Sequence, residues 1–104
     1  MNIIRGTTPH IKIELPDGMS TDDVAEVWLT VKQGCRKLID KELADMETVD
    51  DGYVVRLTQE ETLKLCSTNG NVEVQSRLRT VMSDALATEI YSVPVGRILK
   101  DGVI

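Results

Sequence analysis

The stretch Ala25-Glu26-Val27-Trp28-Leu29-Thr30-Val31-Lys32 decides the fold, because it follows a helix-start signal and then departs from helical spacing. Ser20-Thr21-Asp22-Asp23 carries the S-x-x-D spacing in which a hydroxyl and a carboxylate cap the first turn of a helix. A helix continuing from that cap would repeat its apolar residues every three or four positions. Instead Ala25, Val27, Leu29 and Val31 fall on one parity and Glu26, Trp28, Thr30 and Lys32 on the other, the two-residue period of a half-buried strand. At most one helical turn therefore precedes a strand.

Working outward, the same alternation recurs. Ile11, Ile13 and Leu15 alternate with Lys12 and Glu14 in a strand from His10 to Leu15, bracketed by Pro9 and Pro16. Gln33-Gly34-Cys35 reads as a tight reversal into a hairpin strand, Arg36 to Leu43. Its alternation is imperfect, since Leu38 and Ile39 adjoin and Lys41 shares the parity of Ile39 and Leu43, as expected of an edge. Asp45 to Gly52 reads as an acidic loop before the strand Tyr53 to Leu57. Thr58-Gln59-Glu60-Glu61 is a capping box for a short helix ending near Cys66, with Leu63 and Leu65 as anchors and Asn69-Gly70-Asn71 closing the connection. In the clearest strand Val72, Val74, Ser76 and Leu78 point inward, while Glu73, Gln75, Arg77 and Arg79 point out. Ser83-Asp84-Ala85 turns the chain into a last strand, about Ala87 to Leu99, which Pro94 confines to an edge or splits in two.

Six or seven short strands and one helical turn imply an all-β fold, an immunoglobulin-like antiparallel β-sandwich forming a single domain over 1–104, with a small β-barrel as the alternative. Composition agrees. Val, Ile and Thr supply 30 of 104 residues, Phe is absent, and Trp28, Tyr53 and Tyr91 are the only aromatic residues. The expected core is Ile11, Ile13, Leu15, Val27, Leu29, Val31, Tyr53, Val55, Leu57, Leu63, Leu65, Val72, Val74 and Leu78.

Charge and motif content narrow the function by exclusion. Seventeen acidic against twelve basic residues give a net charge of −5, the wrong sign for tracking a phosphate backbone, so nucleic acid is not an expected partner. No apolar run suits a membrane span or a leader, and the chain reads as cytoplasmic. Cys35 and Cys66 stand 31 positions apart without a CxxC; a disulfide across the sandwich and two reduced thiols are both open, the thiols being favoured in a domain that can stand without staples. His10 is the single histidine, with no nucleophile or carboxylate set around it. Asp45, Glu47, Asp50 and Asp51 lack the spacing of a calcium loop and read as solvated charge. Arg77 and Arg79 form a short basic stripe balanced by Glu73 on the same strand, and cross-strand charge pairs explain it. No catalytic residue, cofactor or metal ligand is expected.

Four segments together resemble one family: Arg5-Gly6-Thr7-Thr8-Pro9, Leu57-Thr58-Gln59-Glu60-Glu61-Thr62-Leu63-Lys64, Val72-Glu73-Val74-Gln75-Ser76-Arg77, and Gly96-Arg97-Ile98-Leu99-Lys100-Asp101-Gly102-Val103-Ile104. They resemble small prophage-encoded proteins of Gram-positive bacteria. The broader pattern is similar to the immunoglobulin-like amino-terminal domain of phage baseplate upper proteins, where a strand runs into L-T-x-E-x-T-x-x-L and then into an alternating strand. The resemblance implies a phage structural or accessory protein without enzymatic activity, associating with other phage subunits or with itself as a homo-oligomer, in the host cytoplasm or in a virion. The expected partner contacts are Trp28, on the outer face of its strand, Ile39 and Leu43 on the ragged strand, and Val103 and Ile104 in the tail. The alternative is a small carbohydrate- or ligand-binding module built on an outward-facing Trp28, unless the Asp45 to Gly52 loop covers that ring.

Overall fold

The computed structural model describes residues 2–34, 36–66, 70–88, 90–100 and 102–104. The expectations that fall on Cys35, Asn69 and Asp101, including the Cys35 pairing, lie outside the described residues. In chain order the strands are β1 (Ile3–Ile4), β2 (His10–Glu14), β3 (Val24–Gln33), β4 (Arg36–Glu42), β5 (Met46–Val49), β6 (Gly52–Arg56), β7 (Val72–Thr80), β8 (Ala85–Ala87), β9 (Tyr91–Val93) and β10 (Val95–Gly96). One short helix, α1 (Gln59–Leu63), and 3-10 turns at Thr21–Asp23 and Leu43–Asp45 complete the described elements.

The decisive stretch is strand throughout. After one 3-10 turn, where Asp23 Oδ2 accepts from Ser20 N–H at 3.0 Å, β3 runs antiparallel to both β4 and β7 at the centre of one sheet. That sheet has the order β4-β3-β7-β8, with β9 also pairing with β7; a second sheet has the order β2-β6-β5. Both are open and antiparallel, which sets the barrel alternative aside. β1 and β10 form a separate parallel pair.

Val27, Leu29 and Val31 from β3, Val72, Val74 and Leu78 from β7, and Ile13, Tyr53, Val55 and Leu57 from the second sheet are buried in one cluster. Of the expected core, Ile11 and Leu15 are partly buried against that cluster and Leu63 is half-buried, while Ile3, Val24, Ile39 and Val93 join it. Gly52 allows the second sheet to close up, because a Cβ there would run into the carbonyl of Ile13 on β2.

Three expectations are corrected. The stretch Asp45 to Gly52 is not a loop: Met46–Val49 is strand β5, paired with β6, and its half-buried Met46 and Val49 frame the exposed Glu47 and Thr48. β4 borders its sheet as its irregular alternation implied, but the irregularity itself is a β-bulge, which moves Ile39 off the exposed edge. Val31 faces Ile39 and Lys32 faces Lys37, so Leu38 is the extra residue, and Ile39 turns inward to become 3% exposed. The last strand is split as Pro94 implies, but into β9 on β7 and β10 on β1, with Pro94 itself accepting from Ile3 N–H at 2.9 Å. The separate β8 begins earlier, after a turn in which Ser83 takes a left-handed φ of 70° and Thr80 N–H donates to the Asp84 carbonyl at 2.8 Å.

Candidate functional site

The two flanks of the sandwich differ in what stands between the sheets. On the β4 flank the chain itself crosses from sheet to sheet through Leu43–Asp45, and Leu43 and Met46 pack against the core. Lys41, inward by parity, meets Glu61 of α1 at 2.8 Å, with 14% and 20% of the two side chains exposed. The same Glu61 Oε1 accepts from Thr58 N–H at 2.9 Å, and the Thr58 hydroxyl accepts from Glu61 N–H at 3.2 Å, so the capping box and the ion pair share one carboxylate. Burial alone would push the Glu61 carboxyl up; the Lys41 ammonium and the Thr58 donors outweigh it and hold the group below its ordinary range.

The helix is anchored at its other end as well. Arg5 Nε donates to the Leu65 carbonyl at 2.7 Å and Nη2 to the Leu63 carbonyl at 3.1 Å, placing a cation and donors at the carbonyls that a helix C-terminus leaves unpaired. The buried Thr62 hydroxyl donates to the Thr7 carbonyl at 2.9 Å. Gln33, at the end of β3, spends its whole amide on the following connection: Nε2 donates to the Cys66 and Gly70 carbonyls at 2.6 and 3.1 Å, and Oε1 accepts from Cys66 N–H at 2.8 Å. Gln59 grips the tail in the same manner, accepting from Ile104 N–H at 2.8 Å and donating to its carbonyl at 3.2 Å. Three of the four segments carrying the family resemblance thus meet around α1, where their polar groups serve packing.

On the opposite flank β2 borders its sheet, and β8 and β9 border theirs. Leu57 N–H donates to the Pro9 carbonyl and Leu15 N–H to the Asp51 carbonyl, each at 3.0 Å. Antiparallel pairing alternates from these bonds, so the backbone groups of Ile11 and Ile13 turn toward β6 and those of His10, Lys12 and Glu14 turn outward. Across the gap, Thr80 N–H bonds the Asp84 carbonyl and Thr88 N–H the Ser76 carbonyl, which turns Leu86 toward β7 and leaves Ala85 and Ala87 facing out. Between the two edges lies a cleft of about 260 Å³ lined by Ile11, Ile13, Leu29, Val74, Ser76 and Tyr91, among others. A smaller recess toward Pro16 and Leu86 shares Ile13 and Ser76 with it. Ser76 is 5% exposed and its Oγ has no hydrogen-bond partner among the described residues, a state that costs free energy in a buried hydroxyl. At the rim the Lys12 ammonium lies 3.0 Å from Asp51, and the hydrogen bond between them raises the lysine and lowers the carboxyl.

The sequence-derived contact residues do not gather into one surface. Ile39 is in the core and Leu43 is half-buried, so neither is presented to a partner as the sequence suggested; the bulge at Leu38 is the reason. Val103 and Ile104 are exposed, with the backbone of Ile104 held by Gln59. Trp28 is 39% exposed, between Glu42 and Arg77 in register, over an open depression of about 210 Å³ that Glu26, Arg79 and Ala85 help to line. Asp45 to Gly52 belongs to the other sheet and to the crossing turn. His10 sits exposed on β2, Asp45 accepts from Glu42 N–H at 3.2 Å, and Asp51 is paired with Lys12. Among the described residues no three His, Cys, Asp or Glu side chains come together as a metal site, and no helix is long and apolar enough to cross a membrane.

Sequence reasoning missed the open flank. The signal was a small polar residue, Ser76, at an inward position between Val74 and Leu78, together with a strand, β2, whose other side no segment claimed. No protein-family model matches the chain, and neither a curated protein nor a solved structure matches it.

Proposed function

We propose that this protein works by association with other protein subunits, as a non-enzymatic structural or accessory component of a phage, in the cytoplasm of the bacterial host or built into a virion. The observation that carries this reading is the β2 flank: two strand edges with outward backbone groups, a cleft between them with Ile11, Ile13, Leu29 and Val74 along its floor and Lys12, Glu14, Ser76 and Thr88 also lining it, and Leu86 and Tyr91 exposed on its far lip. Natural proteins blunt such edges with charge, bulges or cover. Here the β4 edge carries Arg36, Lys37, Asp40 and Glu42 and a bulge, whereas β2 carries Lys12 and Glu14 without a bulge and Ala85-Leu86-Ala87 carries no charge. The family resemblance supplies the phage context. Nucleic acid and membrane have no part in this reading.

Light scattering on the purified chain, alone and mixed with tail or baseplate subunits of the same phage, tests it. The expected result is a defined complex burying more than about 1,000 Å² in total. A strict monomer in every mixture, with stoichiometric binding of an oligosaccharide, would overturn it.

A second reading, a carbohydrate-binding module, rests on the half-exposed ring of Trp28 beside Glu26, Arg77 and Arg79. Under that reading Trp28→Ala abolishes glycan binding; under the association reading through the β2 flank it leaves complex formation unchanged.

A further inference from the structure

We infer that the occupant of the open flank is a second copy of this chain, joined through antiparallel pairing of β2 with β2 about a two-fold axis at Ile13. The inference rests on the association reading above and names the partner for its surface.

Backbone register restricts how two β2 edges can meet. Because the outward backbone groups belong to His10, Lys12 and Glu14, two β2 edges can exchange ladder hydrogen bonds only when even-numbered residues face one another. Within β2 that leaves three two-fold registers, centred on Ile11, Lys12 or Ile13. Centring on Ile11 sets His10 against Lys12 of the partner subunit; centring on Lys12 sets His10 against Glu14 of the partner subunit on either side of the axis but puts two lysines face to face at its centre, an arrangement that destabilises a strand pair. Centring on Ile13 sets each Lys12 against Glu14 of the partner subunit, twice by symmetry, and each of these pairs exchanges two backbone hydrogen bonds.

The inward side chains agree with the same register. Ile13 meets Ile13 of the partner subunit, and Ile11 meets Leu15 of the partner subunit, so an apolar row enters the cleft that Ile11, Ile13, Leu29, Val74 and Tyr91 leave open. Leu15 of the partner subunit comes in at the Tyr91 end and Ile11 of the partner subunit at the Leu86 end, covering the two exposed apolar side chains of the far lip. Pro9 and Pro16 do not interfere, since the pairing residues lie between them. The product is a continuous six-stranded sheet, β5-β6-β2 followed by its two-fold copy, which removes the exposed edge of β2 from both chains.

Sedimentation equilibrium across a concentration series tests the inference. The unmodified chain is expected to dimerise. Lys12→Glu sets glutamate against glutamate, Glu14→Lys sets lysine against lysine, and each is expected to weaken the dimer by about tenfold or more. An equimolar mixture of the two variants, and the double exchange Lys12→Glu with Glu14→Lys, both restore opposite charges and should restore the dimer. Both positions are exposed, and the Lys12–Asp51 pair that Lys12→Glu removes lies in solvent where such pairs contribute little, so circular dichroism and melting of the monomers are expected to stay close to those of the unmodified chain. A dimer insensitive to both single exchanges, or single exchanges that the mixture fails to rescue, would overturn the register. A monomeric unmodified chain would overturn self-pairing altogether. If that monomer still forms a defined complex with a purified tail or baseplate subunit, the association reading stands without it; if it forms none, both fall.

Discussion

At the β4 flank the chain closes its own sandwich: a turn carries it from one sheet to the other, Leu43 and Met46 cover the core, and Lys41 and Glu61 pair between β4 and α1. At the β2 flank no segment among the described residues crosses between the same two sheets, a cleft of about 260 Å³ lies between them, and a buried serine hydroxyl has no partner among those residues. Both flanks are edges of short antiparallel strands. What separates them is where the polar groups point. On the β4 side every inward polar group named above has a partner that also fixes a loop or a helix end, so the arrangement is self-contained. On the β2 side the outward backbone groups of His10, Lys12 and Glu14 have no strand partner among the described residues, and the Ser76 hydroxyl behind them has none either; another strand pairs such an edge.

That contrast assigns unequal costs to substitutions. The largest effect is expected on the closed side. Leu65, 1% exposed behind α1, should cost about 2–5 kcal/mol of stability as Leu65→Ala, read from denaturant unfolding, because the site is boxed in by Arg5 and the helix and cannot collapse freely. A loss below about 1 kcal/mol would mean that α1 is not part of the closed flank's core.

Next comes Lys41→Met, expected to cost about 1–2 kcal/mol at neutral pH, between the values for exposed and buried ion pairs. Its sign with pH is a sharper reading. The Glu61 carboxyl is held below its ordinary 4.5, so its contribution to stability is present above that value and is lost as pH falls through the lowered value in the folded protein. Without Lys41 the carboxyl should move up, and part of the stability lost on acidification should disappear from the variant's pH curve. An unchanged acid limb would show that the ion pair does not couple the helix to β4.

The smallest effect is expected on the open side. Ser76→Ala removes a buried hydroxyl that has no partner, so the monomer should be unchanged or more stable by up to about 1 kcal/mol, measured by thermal melting. A clear destabilisation would show that the hydroxyl is satisfied in solution and that the cleft is filled from within.

Much of this architecture was legible in the sequence because period-two alternation is a strong signal when one face of a strand is solvated. β3 and β7 read correctly from residues 25–32 and 72–79 alone, and Pro94 announced the split of the last strand. β5 escaped because its two half-buried positions, Met46 and Val49, are three apart rather than two, amid acidic residues that resemble a loop. Ile39 was misplaced because a bulge shifts parity by one, and a lone sequence shows only irregular alternation there. Of the open flank the sequence showed only the inward Ser76 between Val74 and Leu78, since which strand ends a sheet follows from topology. The resemblance segments were legible as motifs, yet around α1 their contacts anchor the helix and the tail.

Residue-resolved amide hydrogen exchange tests the contrast between the flanks most directly. In dilute monomeric protein rapid exchange is expected at His10, Lys12 and Glu14 and at Ala85 and Ala87, alongside strong protection at Ile11 and Ile13, which turn toward β6, and at Leu29 and Val31 in the central β3. Protection of Lys12 and Glu14 should then appear as concentration rises and the edge is covered. Slow exchange at Lys12 and Glu14 in the dilute monomer, or exchange as fast at Ile11 and Ile13 as at their neighbours, would contradict it.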